Sequence, residues 1–289
     1  MKVANIAIKG GLGNQLFQYA LGIYLKEKYA CNVHFDIRPL YSKQENLTPR
    51  TFELKKLFPE MQFCSDFTNQ LVHTCEDNIF ARLFKKMTRE LVGLNYMSED
   101  QFNHSQSLDK KRYYFDGYWQ DLRYAKCLLD ELNKIAFNQL KDSHYYKEIL
   151  QSDNNIGIHI RRGDYVSNPF INSYHGNCDL NYYQKALDYI QSKTASQRTF
   201  IFTDDVHWAN ENFGNNSAVS IVSQNVNNAI TELFLLKSCS HLVLSNSSFS
   251  AWASYLNGNN EAIIIAPEQW TKAHKTVDLS IKKENWIVL

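Results

Sequence analysis

Three features of this 289-residue chain predict an α/β architecture in two units of mostly parallel sheet covered by helices. A strand, a glycine loop and a very apolar helix open the chain. A long alternation of strands and helices runs from Ile156 to Ala266, and the polar stretch from Lys141 to Asn155 lies between the two, where a linker belongs. We therefore expect one unit over residues 1–148 and a second over 149–289, with a ligand cleft between them.

The composition allows this: 44% of residues are apolar, enough for two substantial cores. With 31 basic against 30 acidic residues, the charge balance does not call for nucleic acid or an anionic membrane, so any anion site must be local. Cys31, Cys64, Cys75, Cys127, Cys178 and Cys239 are scattered without a C-x-x-C pair, a pattern of reduced thiols in a cytosol rather than a disulfide frame or a zinc site. The opening is strand-like, not a secretion signal, and no apolar run approaches the roughly 20 residues of a membrane span.

In chain order, Val3 to Lys9 predicts a strand, Gln15 to Lys28 a helix and Asn32 to Asp36 a second strand. From about Arg38 to Asn154 the alternation weakens, with helices expected near Ile79 to Gly93 and Tyr124 to Gln139. The second unit begins with a strand at Ile156. A helix follows at Tyr182 to Ser192, then strands at Thr199 to Thr203 and Val219 to Val222. Next come a helix at Ala229 to Lys237, a strand at His241 to Leu244, a helix at Ser250 to Asn257 and a strand at Ala262 to Ala266.

Four motifs carry chemistry. In Gly157-Ile158-His159-Ile160-Arg161-Arg162-Gly163-Asp164, strand alternation puts Ile156, Ile158 and Ile160 on one face and Gly157, His159 and Arg161 on the other. Arginine at the carboxyl end of a parallel strand suits a diphosphate, and Gly163 permits a sharp turn that brings Asp164 back to a guanidinium. The bland alternative is a surface ion pair between Arg162 and Asp164. The loop from Gly10 through Gly11, Asn14 and Gln15 opens a helix and can cradle an anion; with Asp36 ending the next strand it also invites an NAD-dependent oxidoreductase, although Leu16 occupies the third glycine position of that fingerprint. Asp204 and Asp205 end a buried strand, where a carboxylate can accept two hydrogen bonds from a guanine edge or cap the next helix. Being adjacent, they make a poor metal pair. Ser245 to Ser250 lead from a strand into a helix with more hydroxyls than a cap needs.

Two further segments read as structure. Tyr118 and Trp119 could stack on a sugar but fit a core better, and the basic helix face at Ile79 to Arg89 fits a solvated surface better than a membrane.

Together these motifs, with Gly117-Tyr118-Trp119-Gln120, resemble the α-1,2-fucosyltransferases of glycosyltransferase family 11 over nearly the whole chain. The resemblance implies the GT-B fold of two Rossmann-like domains, the donor GDP-fucose in the second, inversion, and no metal or other cofactor. It implies that Arg161 binds the β-phosphate with support from Arg162, and that His159 and one of Asp204 or Asp205 meet guanine. Ser247, Ser248 and Phe249 then contact phosphate, and the Gly11 to Gln15 loop closes over the donor. The acceptor is a galactose-terminated glycan, and the chain looks like a bacterial cytoplasmic member with at most peripheral contact at the inner membrane. The family's glutamate after the arginines has no counterpart in Val166-Ser167-Asn168-Pro169, so Asp164 is the nominated base, with His175 and Asp179 as alternatives. A non-catalytic nucleotide-sugar or glycan-binding protein of the same fold is the remaining rival.

Overall fold

The first strand, β1 (Lys2–Ala7), buries Ala4 and Ile6 completely, and the glycine turn after it delivers the chain into the helix Leu12–Tyr29. The helix must lie close to the sheet, because a Cβ on Gly22 would stand 2.8 Å from the Phe35 ring in β2 (Cys31–Asp36). In this computed structural model, residues 1–41, 50–65, 93–140, 142–196, 198–272 and 280–289 are described. The helix expected near Ile79 to Gly93 falls almost wholly outside them.

The chain forms two compact units, which meet in sequence at Leu128 and Leu129. In the first, β1 and β2 join β3 (Leu94–Ser98) and β4 (Arg112–Asp116) in a parallel sheet of order β2-β1-β4-β3. The aromatic run Tyr113-Tyr114-Phe115 of β4 is buried, as a central parallel strand requires. Periodicity did not predict β3 and β4, because neither alternates polar with apolar residues.

The second unit is a six-stranded parallel sheet of β5 (Ile156–Ile160), β6 (Thr199–Thr203), β7 (Val219–Ile221), β8 (His241–Val243), β9 (Ile264–Ala266) and β10 (Trp286–Val288). Its order, β10-β9-β8-β5-β6-β7, starts centrally at β5, builds outward to β7, then returns to build outward on the other side from β8. Strand order therefore reverses between β5 and β8, and crevices at such switch points hold ligands outside the carboxyl ends of the strands.

The two faces of β5 behave as its alternation predicts. Ile156, Ile158 and Ile160 pack with Tyr183, Ala186 and Ile190 of the helix Leu180–Lys193, and with Ala209 of the helix Val206–Phe213. The opposite face meets the helix Ala229–Lys237: a Cβ on Gly157 would stand 2.8 Å from Cys239 Sγ and 2.9 Å from Leu236.

Two expectations need correction. The stretch from Lys141 to Asn155 is no linker, since Ser143 caps a helix over His144–Leu150 and the buried Asn155 amide donates to the carbonyls of Ile149 and Ser152. The boundary also precedes 148/149. The helix Leu129–Leu140 turns Leu132, Ala136 and Leu140 inward and packs on the second unit's helices Ala229–Lys237 and Ser248–Leu256. No helix among the described residues is long and apolar enough to cross a membrane.

Gly157→Ala is expected to overpack the contact with Cys239 and Leu236, lowering stability by about 1–3 kcal/mol in urea denaturation without changing the fold.

Candidate active site

At the carboxyl end of β5 the two arginines are held by three aspartates. Arg161 Nη1 lies 2.7 Å from Asp204 Oδ2 and its Nη2 lies 2.5 Å from Asp164 Oδ1, with the guanidinium 5.2 Å from the centre of the Tyr165 ring. Arg162 Nε donates to Asp205 Oδ2 at 3.2 Å, and its guanidinium stands 4.3 Å over Trp208. Of the two guanidinium groups open to it, Asp164 orients Arg161, not the Arg162 of the bland alternative, and Asp205 orients Arg162.

Asp204 joins the ends of β5 and β6. Besides pairing with Arg161, it accepts from the backbone N–H groups of Arg162 at 2.8 Å and Gly163 at 3.1 Å through Oδ1. Gly163 serves this approach, since a Cβ there would lie 2.7 Å from Asp204 Oδ2; it opens the short helix Gly163–Ser167 and is not among the glycines with positive φ. Asp205 Oδ1 caps the helix Val206–Phe213 by accepting from Trp208 N at 3.0 Å. Asp204 and Asp205, one of which the resemblance assigns to guanine, therefore both have their oxygens engaged with the arginines and nearby backbone.

Across the switch point, His159 Nδ1 lies 2.7 Å from Ser245 Oγ and the ring stacks on Phe249 at 4.9 Å. Burial, with the nearby Arg161 charge adding to it, holds the imidazole down to about 3, so this histidine is neutral. The serine cluster divides its work. Ser245 faces His159, Ser247 caps the helix Ser248–Leu256, and Ser250 Oγ donates to the carbonyls of Ser245 and Ser247. Ser248 and Phe249 open that helix, half-buried beside His159. The Asn246 amide donates to the carbonyls of His175 and Trp270.

The alternative bases have other surroundings. Asp179 is exposed and caps the helix Leu180–Lys193, while the His175 ring stacks on Tyr165 at 4.7 Å. Burial lowers the His175 pKa, against the opposing pull of Asp164.

Glu232 was missed by sequence reasoning. It is the only acidic side chain in the mostly apolar helix Ala229–Lys237, and that isolation was its one sequence signal. Burial raises its pKa to about 7; a hydrogen bond with Ser223 opposes the shift and the charge of Asp204 adds to it.

In the first unit, Gly10 takes a φ of 79°, and Gly11 starts the helix Leu12–Tyr29 with neither a capping side chain nor an acid in the first turn. Helices of the second unit are instead capped by Asp179, Asp205, Asn228 and Ser247. The uncapped turn suits an anion. Asn14 Oδ1 accepts from Gln120 at 2.8 Å. Gln15 is completely buried: its amide donates to the carbonyls of Gly10 and Thr51 and accepts from Glu53 N, so this side chain is a strut. Asp36, which the oxidoreductase reading needs for a ribose, is buried and accepts from the Tyr114 hydroxyl at 2.9 Å, while Leu16 is wholly core. Trp119 is core as well. Among the described residues, no three His, Cys, Asp or Glu side chains group as metal ligands.

The sequence model described as "Glycosyl transferase family 11" matches residues 3–289. The chain belongs to this family of glycosyltransferases. It is 29% identical to the O-antigen biosynthesis glycosyltransferase WbnK of Escherichia coli, over 98% of this chain and 99% of that protein. To an α-1,2-colitosyltransferase of the same species it is 27% identical, over 99% of each. Its fold is that of the fucosyltransferase NodZ from Bradyrhizobium, with a TM-score of 0.51 at 15% identity, over 89% of this chain and 93% of that one. The expected GT-B class of α/β fold is thereby confirmed, and the family 11 enzyme carries its arginine motif at the switch point of the second sheet.

The family 11 enzyme should lose stability as pH rises through the window from about 4.5, the value for an unfolded glutamate, to about 7, because its folded form holds the Glu232 proton more tightly. Glu232→Gln lacks that titration. Its melting temperature relative to wild type should climb across this window and level off above pH 7, where the gain reaches at most about 3 kcal/mol; parallel melting curves for the two proteins from pH 5 to 8 would refute the assignment.

Proposed function

We propose that this enzyme is an inverting, metal-independent α-1,2-fucosyltransferase that moves L-fucose from GDP-fucose to the 2-hydroxyl of a terminal β-galactose on an oligosaccharide or glycan precursor. The observation that carries the reading is Arg161, fixed by Asp164 and Asp204 at the carboxyl end of β5 where the strand order reverses. A nucleoside diphosphate placed at this switch point would set its phosphates against that guanidinium and the first turn of the helix Ser248–Leu256.

In this reading, breaking the bond from fucose C1 to the β-phosphate oxygen leaves an oxocarbenium-like sugar and a GDP of growing negative charge. Arg161, supported by Arg162, stabilises that charge, the task a divalent cation performs in other transferases. The acceptor oxygen attacks C1 from the opposite face, and its proton passes to a base. Asp164 is that base in our reading: the diphosphate competes for the Arg161 guanidinium, and the carboxylate is released toward the acceptor. His159, Ser247, Ser248 and Phe249 border the donor. We place the enzyme in the cytoplasm with at most peripheral membrane contact.

A second donor follows from one specific finding, the full-length similarity to a colitosyltransferase. Colitose is fucose without its 3-hydroxyl, so GDP-colitose presents the same nucleotide and leaving group.

The test is GDP release from GDP-fucose and, separately, GDP-colitose, with and without lactose, in EDTA, with GDP-mannose as control. Lactose-dependent release from GDP-fucose is expected. Faster release from GDP-colitose would reassign the donor, and release that requires added manganese would overturn metal independence. Arg161→Ala should cut turnover at least 100-fold while remaining folded by circular dichroism, in line with loss of an oxyanion donor. Asp164→Asn should lower kcat by about 10²–10⁴ with GDP affinity changed only a few-fold; an equal loss in both would make Asp164 a positioning residue for Arg161 instead.

A further inference from the structure

Arg161 has two kinds of neighbour. Asp164 and Asp204 take its Nη2 and Nη1, while its guanidinium carbon stands 5.2 Å from the centre of the Tyr165 ring. The carboxylates hold N–H groups that a diphosphate would need. An aromatic ring instead attracts the cation through its quadrupole and supplies no oxygen to compete with phosphate. Of these contacts, the ring is therefore the one that a bound diphosphate need not disturb.

Tyr165 is itself held from three directions. Its ring lies on the His175 ring at 4.7 Å and 8°, its hydroxyl donates to the Asn246 carbonyl at 3.4 Å, and its own carbonyl accepts from the Asn172 amide at 2.5 Å. The local chain is built to return there. Asn168 follows the helix Gly163–Ser167 and caps the helix Pro169–His175 by accepting from Phe170 N and Ile171 N, and that helix brings His175 back against Tyr165. Asn246 closes the arrangement, because its amide donates to the His175 carbonyl. Tyr165 and Asn246 thus tie the chain leaving β5 to the chain leaving β8, the two strands between which the sheet order reverses. Burial lowers the His175 pKa, so the ring against Tyr165 is uncharged at neutral pH and adds no second cation beside Arg161. Tyr165 is half-buried, and packing alone would accept another apolar side chain in its place, whereas a cation over its ring requires an aromatic one.

We propose that Tyr165 is a positioning residue for Arg161: its ring, seated on His175 and tied to Asn246, keeps the guanidinium at the strand end when a diphosphate takes the place of Asp164. This rests on the diphosphate role of Arg161 proposed above and deepens it. Tyr165 acts through Arg161 and makes no contact of its own with the reacting atoms.

The test is a double-mutant cycle read as kcat/KM for GDP-fucose, with lactose as acceptor. Tyr165→Leu, which removes the ring, is expected to lower kcat/KM about 10-fold while remaining folded by circular dichroism. Tyr165→Phe restores the ring and should recover the rate to within about three-fold of wild type. In the Arg161→Ala background the Tyr165→Leu step should cost less than about two-fold, because the group it positions is gone. If Tyr165→Leu does not fold, His175→Leu, which removes the ring that seats Tyr165, takes its place in the cycle with the same dependence on Arg161. A similar loss with and without Arg161, a folded Tyr165→Leu as fast as wild type, or a Tyr165→Phe as slow as Tyr165→Leu would overturn the assignment and leave the role of Arg161 standing. Arg161→Ala as active as wild type, or wild-type protein that neither releases nor binds GDP, would overturn the diphosphate reading itself, and the assignment with it.

Discussion

Asp204 is the contact on which the second unit's functional edge depends. One carboxylate receives the Arg161 guanidinium and two consecutive backbone N–H groups, so the chain leaving β5 is fixed against the end of β6. A guanidinium on a long side chain would ordinarily lose much rotamer freedom on meeting a ligand. Here that freedom is given up during folding. The cost is a locally balanced charge: two arginines among three acids do not form a strongly positive patch, and an anion must compete with Asp164 for Arg161. Such a site favours a ligand that can supply geometry as well as charge, as a bidentate phosphate does.

The residues of β5 and β6 were legible because buried parallel strands spell themselves in mostly apolar letters, and the switch from Ile160 to Arg161 marks where the core stops. Alternation also assigned the two faces of β5 correctly, with the isoleucines on one and Gly157 and His159 on the other. What the sequence could not convey was partnership. Asp164 had two arginines within reach, and Arg162 is taken instead by Asp205, which caps the helix that also carries Trp208. β3 and β4 escaped notice because Tyr113, Tyr114 and Phe115 are as ready to be helix core as strand, and β10 because three residues at a chain end carry little pattern. Glu232 escaped because its raised pKa comes from burial and from the charge of Asp204, neither of which is a property of its neighbours in sequence.

The glutamines of the first unit show how polar residues can serve as architecture. Gln15 and Gln18 are both completely buried and both satisfied, the first by Gly10, Thr51 and Glu53, the second by Lys9 N and the Gly117 carbonyl. Each amide therefore ties the glycine turn to chain distant in sequence, which is costly to achieve but specific once made. The motif Gly10-Gly11-Leu12-Gly13-Asn14-Gln15-Leu16-Phe17-Gln18 is a mixture of parts: bare backbone at Gly11, and side chains at Gln15 and Gln18 that keep the backbone in place.

The absence of a Cβ at Gly157 has a mechanical consequence. By letting Leu236 and Cys239 settle directly on the strand, it makes the helix and β5 move as one body, with no cushion of side chain between them. Helix and strand then behave like the two jaws of a vernier, and a shift of a single methylene at that contact would be read out several ångströms away, at the carboxyl end of the strand. Tolerance at the far end of the pair is set by the smallest residue at the near end.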